Sequence, residues 1–388
     1  MASERTIPMK NNNTLALVAM VGGSLTCLAQ VEVKLTGSTA FRSSLWAAIP
    51  NLYTGSGGSA PTVVDPQTGS ALAGNAKTFS GTMPALYGTQ TVVIKTSFSG
   101  SVEGIVNLVG AANPSGVTQP GYLNTDGTLD SNTAADAAMS DVFQDTTNYS
   151  NAAGFPSLDD DTVGVVTFGW YRGATADAST LVNVQPQLLN ALFANGKINK
   201  SLFTGVAGDS AASVYLVGRN ALSGTRLVTQ ADCFWGANSD ASLYKLVGTA
   251  PTLDTAATPG FTSGSGVRTV LQNTTSTGPF VGYLSNNDGN AIATQRLNYN
   301  GVSFSKDAVK NGTYTLWSYQ HVFFRPTITA SKKVLFDGKT NPSNPVASNG
   351  LIKAIDSLLS GAAVTENNVA LSQMNVERTG DGVPVTAK

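Results

Sequence analysis

The sequence predicts an α/β fold in which helices pack on a sheet of mostly parallel strands. Apolar strand segments and amphipathic helix segments alternate along the 388 residues, which is typical of βαβ units. Three of the predicted strands lead into turns of small, hydroxylated residues that precede a predicted helix. Because loops at the carboxyl ends of parallel strands converge, we expect these turns to line one ligand crevice.

The N-terminal half supplies the first two strand–turn–helix units. Alternating patterns predict strands over 31–35 and 91–95, and helical patterns predict helices over 40–49 and 103–110. A short element ending in a polar turn is predicted over 134–141.

Two long segments of this half are predicted as loops. Residues 51–90 are rich in Gly, Ser, Thr and Pro, so we expect loops or an insertion on the fold. Residues 111–133 are predicted as a second loop region.

The C-terminal half supplies the third unit. A strongly apolar strand is predicted over 162–169, and a helix over 187–195 that stops at Gly196. A strand over 214–217 leads into the third turn and a helix start. A further strand at 281–284 and a helix at 351–359 follow.

Length and composition indicate an exported, loop-rich protein. The chain is long enough for two domains with separate cores. Charged residues make up 12% of the sequence, against roughly 25% in average globular domains. The formal net charge of -1 gives no electrostatic reason to expect nucleic acid or an anionic membrane as a partner.

The N-terminus is predicted to be a secretory signal peptide, residues 1–29. A short basic region begins at Met9, and an apolar run and small residues before Gln30 follow. Residues 1–8 are interpreted as an upstream extension, and acylation of Cys27 in a lipoprotein is the alternative. Removing residues 1–29 shifts the net charge from -1 to -2, because two basic residues and one acidic residue are lost. We therefore expect a periplasmic or otherwise extracytoplasmic protein.

The small numbers of histidine and cysteine residues argue against Ser-His-Asp hydrolases and against clustered zinc sites. His321 is the single histidine and lies in an aromatic segment, so a structural role is favoured over a Ser-His-Asp centre. After cleavage Cys233 is the single cysteine, predicted to be a buried hydrophobe; a zinc cluster is excluded by number. We expect no cofactor and no metal. The acidic segments 159–161 and 126–130 are interpreted as solvated loops rather than cation sites.

The turn after the strand at 214–217 carries chemistry suited to a tetrahedral oxyanion. Ser223 and Thr225 offer hydroxyl groups, Gly224 permits close approach, and a helix start offers unpaired N–H groups. Arg219 adds a planar fork of donors. A plain helix cap at Ser223 and a surface ion pair at Arg219 are the alternatives.

Six segments spread over most of the mature chain form a set with related chemistry: Leu35-Thr36-Gly37-Ser38-Thr39-Ala40-Phe41, Ser99-Gly100-Ser101-Val102-Glu103-Gly104-Ile105, Met139-Ser140-Asp141, Arg219-Asn220-Ala221-Leu222-Ser223-Gly224-Thr225, Val281-Gly282-Tyr283 and Asn311-Gly312-Thr313-Tyr314-Thr315-Leu316-Trp317-Ser318-Tyr319. This set resembles the phosphate-binding proteins of bacterial phosphate ABC transporters, which are two-lobed type II periplasmic binding proteins. Val102 and Leu222 stand where that family commonly has Gly, and the first loop lacks its Pro.

The resemblance implies a two-lobed fold with a ligand cleft between the lobes. With the strands at 162–169 and 281–284 as crossovers, lobe I comprises 30–163 plus 283–388, and lobe II comprises 164–282. The implied function is capture of inorganic phosphate for a membrane permease and its ATPase, by a monomer and without catalysis. The implied phosphate-binding residues are Ser38, Thr39, Ala40, Ser101, Asp141, Arg219, Ser223, Gly224 and Thr225.

Asp141 gives this site a physical basis for selectivity. A carboxylate repels an anion unless a proton lies between them, and phosphate near pH 7 carries such a proton whereas sulfate carries none. Asp141 is therefore expected to accept a hydrogen bond from phosphate and to reject sulfate. The alternatives are that Asp141 caps a turn, and that the chain is a surface, scavenging or structural protein on the same fold. A phosphatase is disfavoured because no histidine-supported nucleophile or metal cluster is visible.

Overall fold

The computed structural model describes residues 30–70, 72–111, 121–131, 133–337, 350–361 and 366–388. The predicted signal peptide at 1–29 lies outside these ranges. Within them, no helix is long and apolar enough to cross a membrane. The predicted α/β class is confirmed, because a large mixed sheet packs against helices throughout the described chain.

The strands range from two-residue bridges to one strand of 13 residues. In chain order they are β1 (Val31–Gly37), β2 (Thr62–Val64), β3 (Ala76–Thr82), β4 (Thr91–Ser97), β5 (Tyr122–Leu123), β6 (Leu129–Asp130), β7 (Ala137–Ser140), β8 (Asp160–Arg172), β9 (Asn183–Val184), β10 (Lys197–Asn199), β11 (Ser213–Val217), β12 (Tyr244–Val247), β13 (Ala250–Leu253), β14 (Phe280–Ser285), β15 (Asn298–Tyr299), β16 (Trp317–Phe324), β17 (Val376–Glu377) and β18 (Thr386–Ala387).

The helices include each one predicted from the sequence. In chain order they are α1 (Arg42–Gly55), α2 (Pro84–Tyr87), α3 (Ser101–Val109), α4 (Pro186–Asn195), α5 (Ser201–Thr204), α6 (Gly224–Asp232), α7 (Gly264–Gln272), α8 (Lys306–Lys310), α9 (Ala330–Asp337) and α10 (Leu351–Ser360). Gly196 ends α4 in the left-handed conformation with φ 70°, as predicted.

The main sheet has ten strands in the order β10-β11-β14-β8-β16-β7-β1-β4-β3-β2. The prediction of mostly parallel strands is wrong. Parallel pairing joins β1 to β4, β1 to β7 and β11 to β14, while the other neighbours in this sheet are antiparallel. The physical reason is that β8 and β16 pair antiparallel with both of their neighbours. They lie between two smaller parallel groups, β7, β1 and β4 on one side and β11 and β14 on the other.

The prediction of loops over 51–90 is wrong in part, and the alternative of an insertion on the fold stays a prediction. Helix α1 continues to Gly55 although it contains Pro50, and β2 and β3 extend the sheet by antiparallel pairing beside β4. Phe79 of β3 is buried in the core, so tertiary burial of β-branched and aromatic residues prevails over the turn-like composition of the segment. The predicted loop at 111–133 contains the short hairpin of β5 and β6; residues 112–120 and 132 lie outside the described chain.

Strand β8 joins the two parts of the sheet. It pairs with β16 as far as Thr167 and with β14 from Phe168 onward. The residues on both sides of this change belong to the buried core, including Val166, Phe168 and Trp170. Both predicted lobe boundaries, at 163/164 and 282/283, fall inside strands β8 and β14.

Candidate functional site

A buried carboxylate, Asp141, lies where the ends of several strands meet the starts of two helices. It follows β7 and is 1% exposed. The hydroxyl of Ser101, the first residue of α3, donates to Asp141 Oδ1, and Asp141 N donates to Ser101 Oγ at 3.3 Å. Thr225, in the first turn of α6, donates through Oγ1 to Asp141 Oδ2 at 3.3 Å. Both helix starts favour a negative charge at this point.

The environment of Asp141 makes its proton affinity high. Burial raises the pKa of Asp141 to about 6, while the hydrogen bond from Ser101 and the charge of Arg219 act in the opposite direction. The charge of Asp381 adds to the increase. A carboxyl group with this pKa can hold or accept a proton near neutral pH.

Gly224 allows the α6 start to contact Asp141 directly. A Cβ at Gly224 would lie 1.7 Å from Asp141 Oδ1 and 2.8 Å from Ser101 Cβ. On the other side of the site, directly before Ser101, a Cβ at Gly100 would lie 2.5 Å from the backbone oxygen of Leu222. The two sides of the site therefore touch, and any side chain at these glycines would separate them.

The N-cap that the sequence analysis gave as the alternative role of Ser223 is present. Ser223 is 1% exposed and has extended backbone angles, and its Oγ accepts from Arg226 N at 3.4 Å. A Ser in this role satisfies one of the unpaired N–H groups of the first turn. The hydroxyl of Ser223 thus holds α6 in place beside Asp141.

The residues of the first loop, Ser38 to Ala40, are all buried. Gly37 has φ +107°, and a Cβ there would lie 2.0 Å from Met139 O. This close approach lets Ser38 N donate to Met139 O at 2.7 Å, two residues before Asp141. Ser38 Oγ is buried and has no hydrogen-bond partner in the described part of the chain, and such groups usually require an explanation.

Thr39 and Ala40 are also buried, at 6% and 2% exposure. Ala40 packs in the hydrophobic core. No hydrogen bond joins either residue's side chain to Asp141 among the described residues. The structure therefore brings Ser101, Asp141, Gly224 and Thr225 together, and the ligand roles of all nine predicted residues stay predictions.

Arg219 is a buried cation held by neutral groups. It is 2% exposed; Nε donates to Phe261 O at 3.1 Å and Nη2 donates to Thr262 O at 2.8 Å. No ion pair with Arg219 occurs in the described ranges. Burial lowers the pKa of Arg219, while the charges of Asp288 and Asp141 oppose that change. The alternative of a surface ion pair is wrong for this residue.

Three charged residues near the site were missed by the sequence analysis. Arg42, at the start of α1, and Asp288 both act electrostatically on Arg219. Asp381, in the C-terminal segment, accepts from Thr146 Oγ1 at 2.6 Å and from Ser318 Oγ at 3.3 Å. Ser318 Oγ also donates to the backbone oxygen of Asp141. The position of Arg42 directly after the first loop was the one available signal.

The residues judged structural from the sequence are in packed surroundings. His321 is 1% exposed, its Nδ1 lies 2.6 Å from Asp160 Oδ2, and its ring stacks on Phe323 with centroids 5.5 Å apart. Cys233 is fully buried, and burial raises the pKa of its thiol. No group of three or more His, Cys, Asp or Glu side chains arranged to hold a metal ion occurs among residues that the structure describes.

Comparisons with known proteins give matches to solved structures alone. No protein-family profile and no curated protein matches the chain. An ABC-type phosphate transport receptor from Vibrio cholerae is 15% identical with a TM-score of 0.41, covering 78% of this chain and 90% of that one. A human phosphate-binding apolipoprotein is 14% identical with a TM-score of 0.45, covering 87% and 91%.

PstS from Borrelia burgdorferi is 11% identical, with a TM-score of 0.36, and covers 76% of this chain and 88% of that one. Similar solved structures thus include the class of protein that the sequence motifs resemble. Because the identities and TM-scores are low, we infer function from the side chains of this chain alone.

Proposed function

We propose that the protein captures inorganic phosphate in a cleft between two hinged lobes. The observation that carries the proposal is Asp141, a buried carboxyl group at two helix starts, bonded by hydroxyls from Ser101 and Thr225. A protonated oxyanion supplies the same kind of hydroxyl donor to Asp141, and its remaining oxygens accept from helix N–H groups.

The buried charge of Arg219 supports an anionic ligand. A guanidinium that is 2% exposed and hydrogen-bonded to carbonyl oxygens has no direct ion-pair partner among the described residues. Burial of such a charge is costly unless an opposite charge comes near. A phosphate at Asp141 supplies that charge, while its proton prevents repulsion by the carboxylate. The unpartnered hydroxyl of Ser38 is a further donor for the ligand.

The proposed lobes are 30–163 with 283–388, and 164–282. Their hinge lies where β8 changes partner, at Thr167 and Phe168. Asn286 Nδ2 donates to Thr167 Oγ1 and to Phe168 O, each at 3.0 Å. Tyr171 OH donates to Asn286 Oδ1 at 2.7 Å. Because this network fixes the backbone at the crossover, the crossover serves as the axis about which each lobe rotates as a unit.

Ligand entry requires the two walls to separate, because Gly224 and Asp141 touch. Phosphate then replaces the direct contacts of Ser101 and Thr225 with the carboxyl group. The same hydroxyls remain available to the other ligand oxygens, and closure returns the helix starts to the anion. No covalent step is involved, so binding and release follow from the hinge alone.

We place this capture outside the cytoplasm, after cleavage of residues 1–29, in delivery to a membrane permease of the ABC type by a monomeric protein. A surface or scavenging protein on the same fold is the second candidate, favoured by the long segments at 51–90 and 111–133. Binding with no stimulation of a reconstituted permease would select that candidate.

The direct test of ligand capture is calorimetric titration of the purified mature protein with phosphate and with sulfate at pH 7.5. We expect micromolar binding of phosphate, about -8 kcal/mol, and no measurable heat with sulfate. Absence of phosphate binding at millimolar ligand, with the protein folded by circular dichroism, contradicts the proposal.

A further inference from the structure

A cavity of about 110 Å³ lies beside the Asp141 cluster and is lined from both proposed lobes. Its apolar wall comes from Val102, Leu222 and Leu227, which are 3%, 8% and 1% exposed, together with the ring of Tyr149. Solvent-exposed residues, among them Ala221 and Thr258, form its rim. The cavity is therefore open at one side and apolar within.

The wall between this cavity and Asp141 is thin. Val102 lines the cavity, and its chain neighbour Ser101 donates to Asp141. Leu222 lines the cavity, and Gly224, two residues later, contacts Asp141. The close approach of Gly100 to Leu222 O joins the starts of α3 and α6 at this wall. A ligand that separates Gly224 from Asp141 therefore also separates the two helix starts and connects the Asp141 cluster with the cavity.

The cavity also offers donors that the Asp141 cluster does not use. Arg226 is 5% exposed, and its guanidinium donates to Arg219 O at 3.4 Å and Ser239 O at 3.2 Å. In the part of the chain that the structure describes, it has no ion pair. Asn220 also lines the cavity, and its Oδ1 accepts from Leu222 N at 3.2 Å. Its Nδ2 has no hydrogen-bond partner within the described ranges.

We infer that the site accepts small phosphomonoesters as well as inorganic phosphate, with the organic group in this cavity. The inference rests on the proposed function, since the phosphoryl group must occupy the Asp141 cluster. The apolar wall suits a short carbon chain, and Arg226 and Asn220 suit oxygen substituents on that chain. Inorganic phosphate has no group that fills this space.

The pH of the test is chosen so that the phosphoryl group of the ligand retains a proton. The second pKa of a phosphate ester is about 6, so an ester at pH 6 retains a proton that Asp141 can accept. Calorimetric titrations at pH 6 with inorganic phosphate and with glycerol 3-phosphate therefore compare the two ligands fairly. Two variants fill the cavity from its exposed rim, Ala221→Trp and Thr258→Trp. Ala207→Trp, an exposed alanine that does not line the cavity, is the matched control.

The wild type is expected to bind glycerol 3-phosphate with an affinity within about tenfold of that for inorganic phosphate, which is ~1.4 kcal/mol. Each cavity-filling variant weakens ester binding by about tenfold or more and leaves phosphate binding within about twofold, and the control changes neither. Phosphate binding with no ester binding overturns the inference and leaves the proposed function standing.

Equal weakening of both ligands by Ala221→Trp and Thr258→Trp also overturns the inference, because the cavity is then an entrance for phosphate. No binding of either ligand to the folded wild type overturns the proposed function itself.

Discussion

The two ends of helix α6 each contact a buried carboxyl group, and the two groups have different partners. At the start of the helix, Asp141 is bonded by hydroxyls, and burial raises its pKa to about 6. Asp232 is the last residue of the helix, and burial raises its pKa to about 7, opposed by the charge of Arg378. A helix start stabilises a negative charge and a helix end destabilises it.

The partner of Asp232 is a matched cation. Arg378 Nη1 lies 3.3 Å from Asp232 Oδ1, and the guanidinium stacks 4.2 Å from the centroid of Trp317. In the part of the chain that the structure describes, Asp141 has no such ion pair, and the guanidinium of Arg219 nearby is bonded to carbonyl oxygens. Asp232 therefore has its own cation, whereas Asp141 is bonded by hydroxyl groups, which the proposed function assigns to exchange with a ligand.

Replacing each of the two arginines with methionine is expected to show the largest difference between the two ends of α6. Arg219→Met removes the charge that faces the ligand, so phosphate affinity falls about 100-fold, close to the 2–5 kcal/mol typical of a truncated buried charge partner. Arg378→Met leaves Asp232 unpaired, so the free energy of unfolding falls by about 3–5 kcal/mol, with little change in phosphate affinity. Calorimetry and urea unfolding of both variants measure the two effects. Equal effects of both variants on phosphate affinity would remove the distinction between the regions.

Adding one methyl group at the helix start is expected to have a smaller effect. Gly224→Ala places a Cβ against Asp141 Oδ1, so the carboxyl group must move, at a cost of about 1–3 kcal/mol in phosphate binding. Gly208→Ala is the control, because no atom lies within 4 Å of its added Cβ. Phosphate titrations of both variants give the comparison. Unchanged affinity in Gly224→Ala would show that the ligand does not bind at the α6 start.

The last expected effect is a pH dependence of stability, which develops gradually between pH 3.8 and about pH 6. Asp141 takes up a proton more readily when folded, with a pKa of about 6 against the usual 3.8. Its contribution to stability is therefore full below pH 3.8 and is lost as the pH rises to 6. Asp141→Asn removes this loss, so its stability relative to wild type is expected to rise between pH 4 and pH 6 and then level off. Urea unfolding at each pH measures the difference, and a difference that does not vary with pH contradicts the assignment.

The sequence was sufficient for features that local chemistry determines. The Ser223 cap, the start of α6 at Gly224 and the end of α4 at Gly196 each follow from side-chain and backbone preferences within a few residues. Asp141 was predicted in the polar turn that ends a short element, and the structure shows that this element is strand β7.

Features that depend on distant parts of the chain were beyond the sequence. The direction of β8 and β16 follows from tertiary pairing, so parallel strands were wrongly expected. Strand β3 exists because β4 pairs with it. Asp381 comes near Asp141 through Ser318, over a separation in the chain that no spacing rule spans.

The most direct test of the ligand role of Asp141 is a calorimetric titration of wild type and Asp141→Asn with phosphate and sulfate at pH 7.5. Without the carboxylate charge, sulfate is no longer repelled. We therefore predict that the ratio of phosphate to sulfate affinity falls by about tenfold or more in the variant, at least ~1.4 kcal/mol. An unchanged ratio in a folded variant would place Asp141 outside the ligand site and contradict the proposed function.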